Sequence, residues 1–435
     1  MLSDHADEVV VLEPDVLDDG IGLRTPHRRQ LHALLSMGHT QLENWFPGIT
    51  GELVAEGARL GTGPAVRFYV DGRLKAPADG TRMLGATRPF LENHVRRRVA
   101  ERDNVVLRPA LARGLLFERD RVSGVRFSAP GGDAGDAPDG ELTADLVVDA
   151  MGRASRLGGW LAAQGWEPAP ARRMRIDLGY ATATFARGEE LGDTVIAHAT
   201  PGPASDYLPT VSEPGALAAV EGDRWTVVLA GYAGHRPDGD PQAFLARMRR
   251  CVAPLRTVAD HCTMTGPVET FHFRESLRRD YARLDRFPGG LVVVGDAFAS
   301  VNPIYGQGLT LAALQANSLA VHLRTGTPWH QPARGYFRRA AVVVDAAWQL
   351  SSTADLAQPH VSGPYPRAYP FLRWAGDRIT EASILDSEVN TAYMDVVNMR
   401  AHPRRLTAPR VLLRTARVLA GGASTTPVPR GRVTT

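Results

Sequence analysis

Residues 291–316 read LVVVGDAFASVNPIYGQGLTLAALQA and carry the groups in this chain best suited to gripping a cofactor. The apolar run Leu291 to Val294 predicts a strand that stops at Gly295-Asp296. Such an ending brings backbone close to a ligand and offers one carboxylate to hydroxyl groups. Asn302-Pro303 predicts a turn, after which Gly306-Gln307-Gly308 opens a helix of small residues at Leu309. A glycine-flanked helix start leaves unpaired N–H groups aimed at partial negative charge. Together these groups suit a flavin, with Asp296 on the ribityl hydroxyls and the amides of residues 306–309 at the pyrimidine edge.

Two other stretches fit the same ligand. Residues 146–157, LVVDAMGRASRL, predict a buried strand ending at Asp149, followed by a turn at Gly152-Arg153. In EVVVLEPD, Glu13 ends the apolar run Val9 to Leu12. An acid at that place commonly binds an adenosine ribose. The run GDAFASVNPIYGQG closely resembles the second FAD fingerprint of flavoprotein monooxygenases of the p-hydroxybenzoate hydroxylase type. DAMGRASR is similar to that family's middle fingerprint. VVLEPD, RTPH at 24–27, GELVAEGA, RLDRFPGG and VDAAWQLSSTAD resemble an actinobacterial secondary-metabolism subgroup that includes polyether epoxidases.

The resemblance implies FAD, held by Glu13, Arg88, Ala112, Asp149, Gly152, Gly295, Asp296, Pro303, Gly306, Gln307, Gly308 and Leu309. In that family an arginine opening a helix packs near the flavin, which Arg88 matches, and backbone at Ala112 meets the adenine. It also implies insertion of one oxygen from O2 into an apolar organic substrate through a flavin C4a-hydroperoxide, as hydroxylase or epoxidase. Electrons come from NAD(P)H, directly or through a separate flavin reductase. No catalytic side chain and no metal is assigned, because the cofactor carries the hard chemistry. Prenyl-chain reductases of the geranylgeranyl type share similar motifs and stay open as an alternative, as does an N-terminally truncated flavoprotein with little activity. Halogenases are disfavoured: the chain lacks their W-x-W-x-I-P run, and its one lysine, Lys75, falls in what reads as a polar turn, DGRLKAPADG.

These motifs require a particular scaffold. The expected class is α/β: a Rossmann-like FAD-binding domain lacking its first strand, an antiparallel β-sheet substrate domain, and C-terminal helices. FAD-binding segments are expected at 1–60, 84–170 and 278–330, with a substrate-domain excursion at 61–83. The substrate domain itself spans 171–277, a helical region 331–420, and a disordered tail 421–435. The first strand is expected to be missing because a glycine turn normally lies about 20 residues before the ribose-binding acid. Only 12 residues precede Glu13, and none is glycine. Residues 5–13 are then expected as an edge-exposed or misplaced parallel strand beside 291–295, with Glu13 at its C-terminal end. The amphipathic run 27–46 predicts a helix, and 129–140 a mobile hairpin tip. Met174, Tyr180, Phe185, Trp225 and Phe273 are expected in the core, and His27 and His32 at the surface or as satisfied core groups.

Composition narrows the partners. The net charge of +3 comes with no long basic run, which argues against nucleic acid. Cys251 and Cys262 offer no metal spacing or disulfide framework. No apolar run is long enough for a bilayer, so a cytoplasmic protein is expected.

Overall fold

The computed structural model describes residues 1–15, 26–130, 139–200 and 213–421. Most of the expected hairpin tip and nearly all of the tail lie outside them. The largest unit is an eight-stranded sheet. Its order is Ala299–Ser300, Glu269–Arg279, Ala171–Ala186, Arg224–Tyr232, Gly215–Val220, Ile196–Thr200, Val66–Val70 and Arg73–Leu74. It is antiparallel except where Ile196–Thr200 runs parallel to Val66–Val70. The sheet is therefore mixed, one departure from the expected antiparallel domain. The residue 61–83 excursion supplies its last two strands.

One face of this sheet packs under the helices Pro241–Arg250 and Ala253–His261, with Phe185, Trp225, Leu217 and Phe244 fully buried between. Asp240 starts the first helix by accepting N–H bonds from Gln242 and Ala243 at 3.2 Å, a standard N-cap. The other face looks toward the parallel layer and the C-terminal helices.

The parallel layer is in two pieces. Val9–Leu12 pairs with Val105–Arg108, and Val147–Asp149 pairs with Leu291–Val293. This corrects the expectation that Val9–Leu12 lies beside 291–295. Glu13 does follow the strand's C-terminal end. Parallel ladders alternate their bonding direction. Val9 N–H reaches Asn104 O at 2.8 Å and Glu13 N–H reaches Arg108 O at 3.1 Å, so Val10 and Leu12 present their backbone groups to the opposite edge. Val147 N–H donates to Gly290 O, and Val294 N–H to Asp149 O, which turns Val148 away from its partner strand. Both free edges line one cavity.

Helices Gly308–Leu323 and Arg334–Asp355 close the layer from behind. Val292, Val293, Phe298, Tyr336 and Phe337 form a continuous core with them. The helix Ser36–Trp45 crosses Gly308–Leu323 at Gly38, where a Cβ would lie 2.4 Å from Thr310 Oγ1. The expected helix over 27–46 is broken. A short turn at Pro26–Arg29 gives way to extended chain, and Leu34 bridges Leu84. Ser36 then bonds Asn398 Oδ1 and Arg82 O. Those distant partners outweigh the local amphipathic pattern. Among the described residues no helix is long and apolar enough to cross a membrane.

Candidate functional site

A single cavity of about 2310 Å³ runs between the parallel layer, the large sheet and the C-terminal helices. Pockets for one drug-sized ligand hold roughly 300–1,000 Å³, so this one has room for a dinucleotide beside a second molecule. Of the twelve expected cofactor residues, ten line it: Glu13, Arg88, Ala112, Asp149, Gly152, Asp296, Pro303, Gly306, Gly308 and Leu309. Gly295 and Gln307 are not part of the lining. The Gly295 N–H is held by Gln315 Oε1 at 2.8 Å, at φ +64°, and so shapes the turn that presents Asp296. Gln307 is buried behind the helix start.

Asp296 stands in this wall, partly exposed to the cavity. Burial raises its pKa, while the Ser300 hydroxyl (3.2 Å) and the positive charges of Arg88 and Arg153 hold it back. Beyond the Pro303–Tyr305 turn, Gly306 takes φ +67° and the helix Gly308–Leu323 begins without a side-chain cap. Its first N–H groups are thus available to a ligand's partial negative charge. At Gly308 an added Cβ would meet nothing within 4 Å, so backbone is open to the cavity there.

Glu13 Oε1 accepts the Asp15 N–H at 2.9 Å, which leaves its other oxygen for a ribose. Arg88 opens the helix Arg88–Ala100 and is held by Glu92 at 2.6 Å and by His32 Nε2 at 3.1 Å. Asp149 behaves otherwise. Its oxygens accept from Met151 N–H (3.0 Å) and Ser155 Oγ (2.6 Å), so it fixes the turn at Gly152. Burial raises its pKa.

Several contributors escaped the sequence. His27 and His32 line the cavity with rings 5.9 Å apart. Burial and then Arg88 lower them to about 4 and about 3, so both are neutral imidazoles at pH 7. Tyr180 and Phe273 line the cavity together with Phe271 and Tyr232, whereas Phe185 and Trp225 belong to the opposite face. Arg153 lies over the Phe273 ring at 5.0 Å. Lys75 is buried and lines the cavity, which corrects its reading as part of a polar turn. Behind Tyr305 sits a closed polar cluster. Asp355 Oδ1 accepts from Tyr305 Oη at 2.9 Å and from Asn302 Nδ2 at 2.7 Å. Among the described residues no cluster of His, Cys, Asp and Glu could hold a metal ion.

No family model matches the chain. Over 387 residues it is 29% identical to Protein Rv3254 of Mycobacterium tuberculosis, covering 86% of this chain and 79% of that protein. Among solved structures it is similar to the flavin-dependent brominase Bmp2, with TM-score 0.64 and 13% identity over 95% of this chain and 92% of that one. It is similar to the p-nitrophenol 4-monooxygenase PnpA of Pseudomonas putida, with TM-score 0.63 and 17% identity over 94% of each chain. PqsL of Pseudomonas aeruginosa, a probable FAD-dependent monooxygenase, gives TM-score 0.59 and 18% identity over 86% of this chain and 94% of that one. At such identities the likeness is one of fold. The chain has the α/β architecture these proteins share.

Proposed function

We propose that this chain is an FAD-dependent monooxygenase that hydroxylates or epoxidises an organic substrate with one oxygen atom of O2. NAD(P)H supplies the electrons, directly or through a separate reductase. The observation that carries this reading is one continuous cavity holding Asp296, an uncapped helix start and an aromatic wall. When bound, the flavin supplies the oxygen-activating chemistry. Asp296 would hold ribityl hydroxyls, the amides of Gly308 and Leu309 the electron-rich ring edge, and Glu13 the adenosine ribose. Tyr180, Phe271, Phe273 and Tyr232 form a wall suited to an apolar substrate body and to excluding water. The Asp355 carboxyl, raised to about 7 by burial, keeps a proton through much of the neutral range and anchors the Tyr305 hydroxyl behind the flavin-facing turn.

The fit is incomplete at one place. Among the described residues Val9–Leu12 and Val147–Asp149 belong to separate two-stranded sheets, each strand paired on one side. A further parallel strand would find partners in the backbone groups of Val10, Leu12 and Val148, and a glycine turn at its end would offer amides to a diphosphate. Fusing an apolar strand, a G-x-G-x-x-G turn and a helix ahead of Met1 tests this. Tighter FAD binding than in the 435-residue chain is expected, and unchanged affinity would sink the idea.

The activity itself is tested on purified protein by flavin absorbance, NAD(P)H oxidation and oxygen uptake. Substrate-stimulated uptake with an oxygenated product supports the monooxygenase. A saturated product without oxygen uptake would replace it with a reductase. A colourless protein that acquires no flavin would refute both.

A further inference from the structure

Lys75 is the only lysine of the chain, and its position is unusual for one. It follows the edge strand Arg73–Leu74, with its N–H on Phe68 O at 2.9 Å. The next residue is pinned on both sides: Ala76 N–H donates to Ser383 O, and Asn390 Nδ2 donates to Ala76 O. The backbone that carries the side chain is therefore held in place. Lys75 is 6% exposed and lines the cavity. Nζ rests 3.4 Å from the centre of the Tyr393 ring. Nζ makes no hydrogen bond among the described residues.

A buried amine without an acceptor is costly, and a buried cation more so. Burial alone pushes Lys75 well below the usual lysine range. His198, in the same wall, is itself buried and lowered to about 4, first by burial and then by Lys75. This corner of the cavity thus has a donor, no acceptor bonded to it among the described residues, and an aromatic lining of Phe68, Tyr69 and Tyr393. A ligand carboxylate is the chemistry that satisfies all three conditions. It supplies the acceptor, restores the ammonium form, and leaves the ligand's apolar body against the rings.

We propose that Lys75 binds a carboxylate of the substrate, so that the molecule oxidised is an apolar acid rather than a neutral hydrocarbon. The inference rests on the oxygenase reading for the word substrate, but its test needs no turnover. The probes are 4-phenylbutyrate and 4-phenylbutan-1-ol, which share a body and differ in the acid group. Calorimetry on the flavin-loaded protein should show the acid binding roughly 10- to 150-fold tighter than the alcohol, the range of one charged hydrogen bond. Lys75→Met should abolish that preference while the alcohol's affinity stays unchanged. Because the chain has one lysine, lysine labelled with ¹⁵N at Nζ gives one side-chain resonance. It should move toward the ammonium position with 4-phenylbutyrate and not with the alcohol, which keeps the test valid even if the variant folds poorly. Equal affinities for acid and alcohol, or an Nζ resonance indifferent to the acid, overturn the proposal. Flavin absorbance on the same samples separates the two readings. Acid selectivity without flavin defeats only the oxygenase, and flavin with no acid selectivity defeats only the role of Lys75.

Discussion

Asp355 gives the sharpest quantitative expectation. It is 1% exposed, one oxygen accepts from Asn302 and Tyr305, and Oδ2 has no hydrogen-bond partner among the described residues. Burial raises its pKa from 3.8 to about 7, against the lowering effect of those two donors. The folded chain therefore holds this proton more tightly than the unfolded chain does. Stability from the protonated carboxyl is full below about pH 4 and is lost as the pH climbs toward 7. Each tenfold difference in acidity is worth about 1.4 kcal/mol, so the loss is about 4 kcal/mol. Asp355→Asn keeps an oxygen for Asn302 and Tyr305 and places an uncharged NH2 where the proton sat. Equilibrium urea unfolding, followed by tryptophan fluorescence at equal flavin content, reads the difference between the two proteins. Taking that difference cancels the other titrating groups. The variant should match the parent near pH 4 and exceed it by about 4 kcal/mol near pH 8. A difference that is flat across this range would refute the claim that Asp355 is buried as a neutral acid.

Other expectations follow from single contacts. Asp296→Ala removes an acceptor that lines the cavity and should weaken FAD binding roughly 10- to 150-fold in an apoprotein titration, the value of one charged hydrogen bond; an unchanged dissociation constant would make Asp296 a turn residue only. Gly85→Ala places a Cβ 2.1 Å from the backbone oxygen of Ala219. Because backbone cannot step aside cheaply, a cost of about 1–3 kcal/mol is expected in urea unfolding, and a change within about 0.5 kcal/mol would show that the strand Arg82–Gly85 yields.

What could be read from sequence was local. The strand, the Gly-Asp step, the proline turn and the helix start between residues 291 and 316 are adjacent in the chain, and their geometry follows from turn chemistry. The site residues that were missed depend on distant chain. Lys75 sits in a loop of polar composition, and the backbone next to it is tied to Ser383 and Asn390, the latter bonded to a residue 314 positions earlier. The strand Ala171–Ala186 is apolar on both faces, so alternation could not say that Tyr180 faces the cavity and Phe185 the helices. A bulge between Arg175 and Leu178 also shifts its register against Glu269–Arg279. His32 reads as an isolated histidine until Arg88, 56 residues on, is brought to its Nε2.

The divided parallel layer links stability to cofactor binding. Leu12, Val147 and Val148 pack on the same core as Val292 and Val293. Apolar contact therefore holds the two strand pairs in place while, among the described residues, one edge of each carries no further strand. An added strand would satisfy Val10, Leu12 and Val148 and would narrow the cavity on the side where a diphosphate needs amides. One perturbation would then raise unfolding free energy and FAD affinity together. Asp296→Ala acts on affinity through a group in the cavity wall and leaves both ladders untouched. If the extended chain binds FAD more tightly but unfolds at the same urea concentration when flavin-free, the strand is only a ligand clamp. If both rise, the break in the sheet is the shared cause.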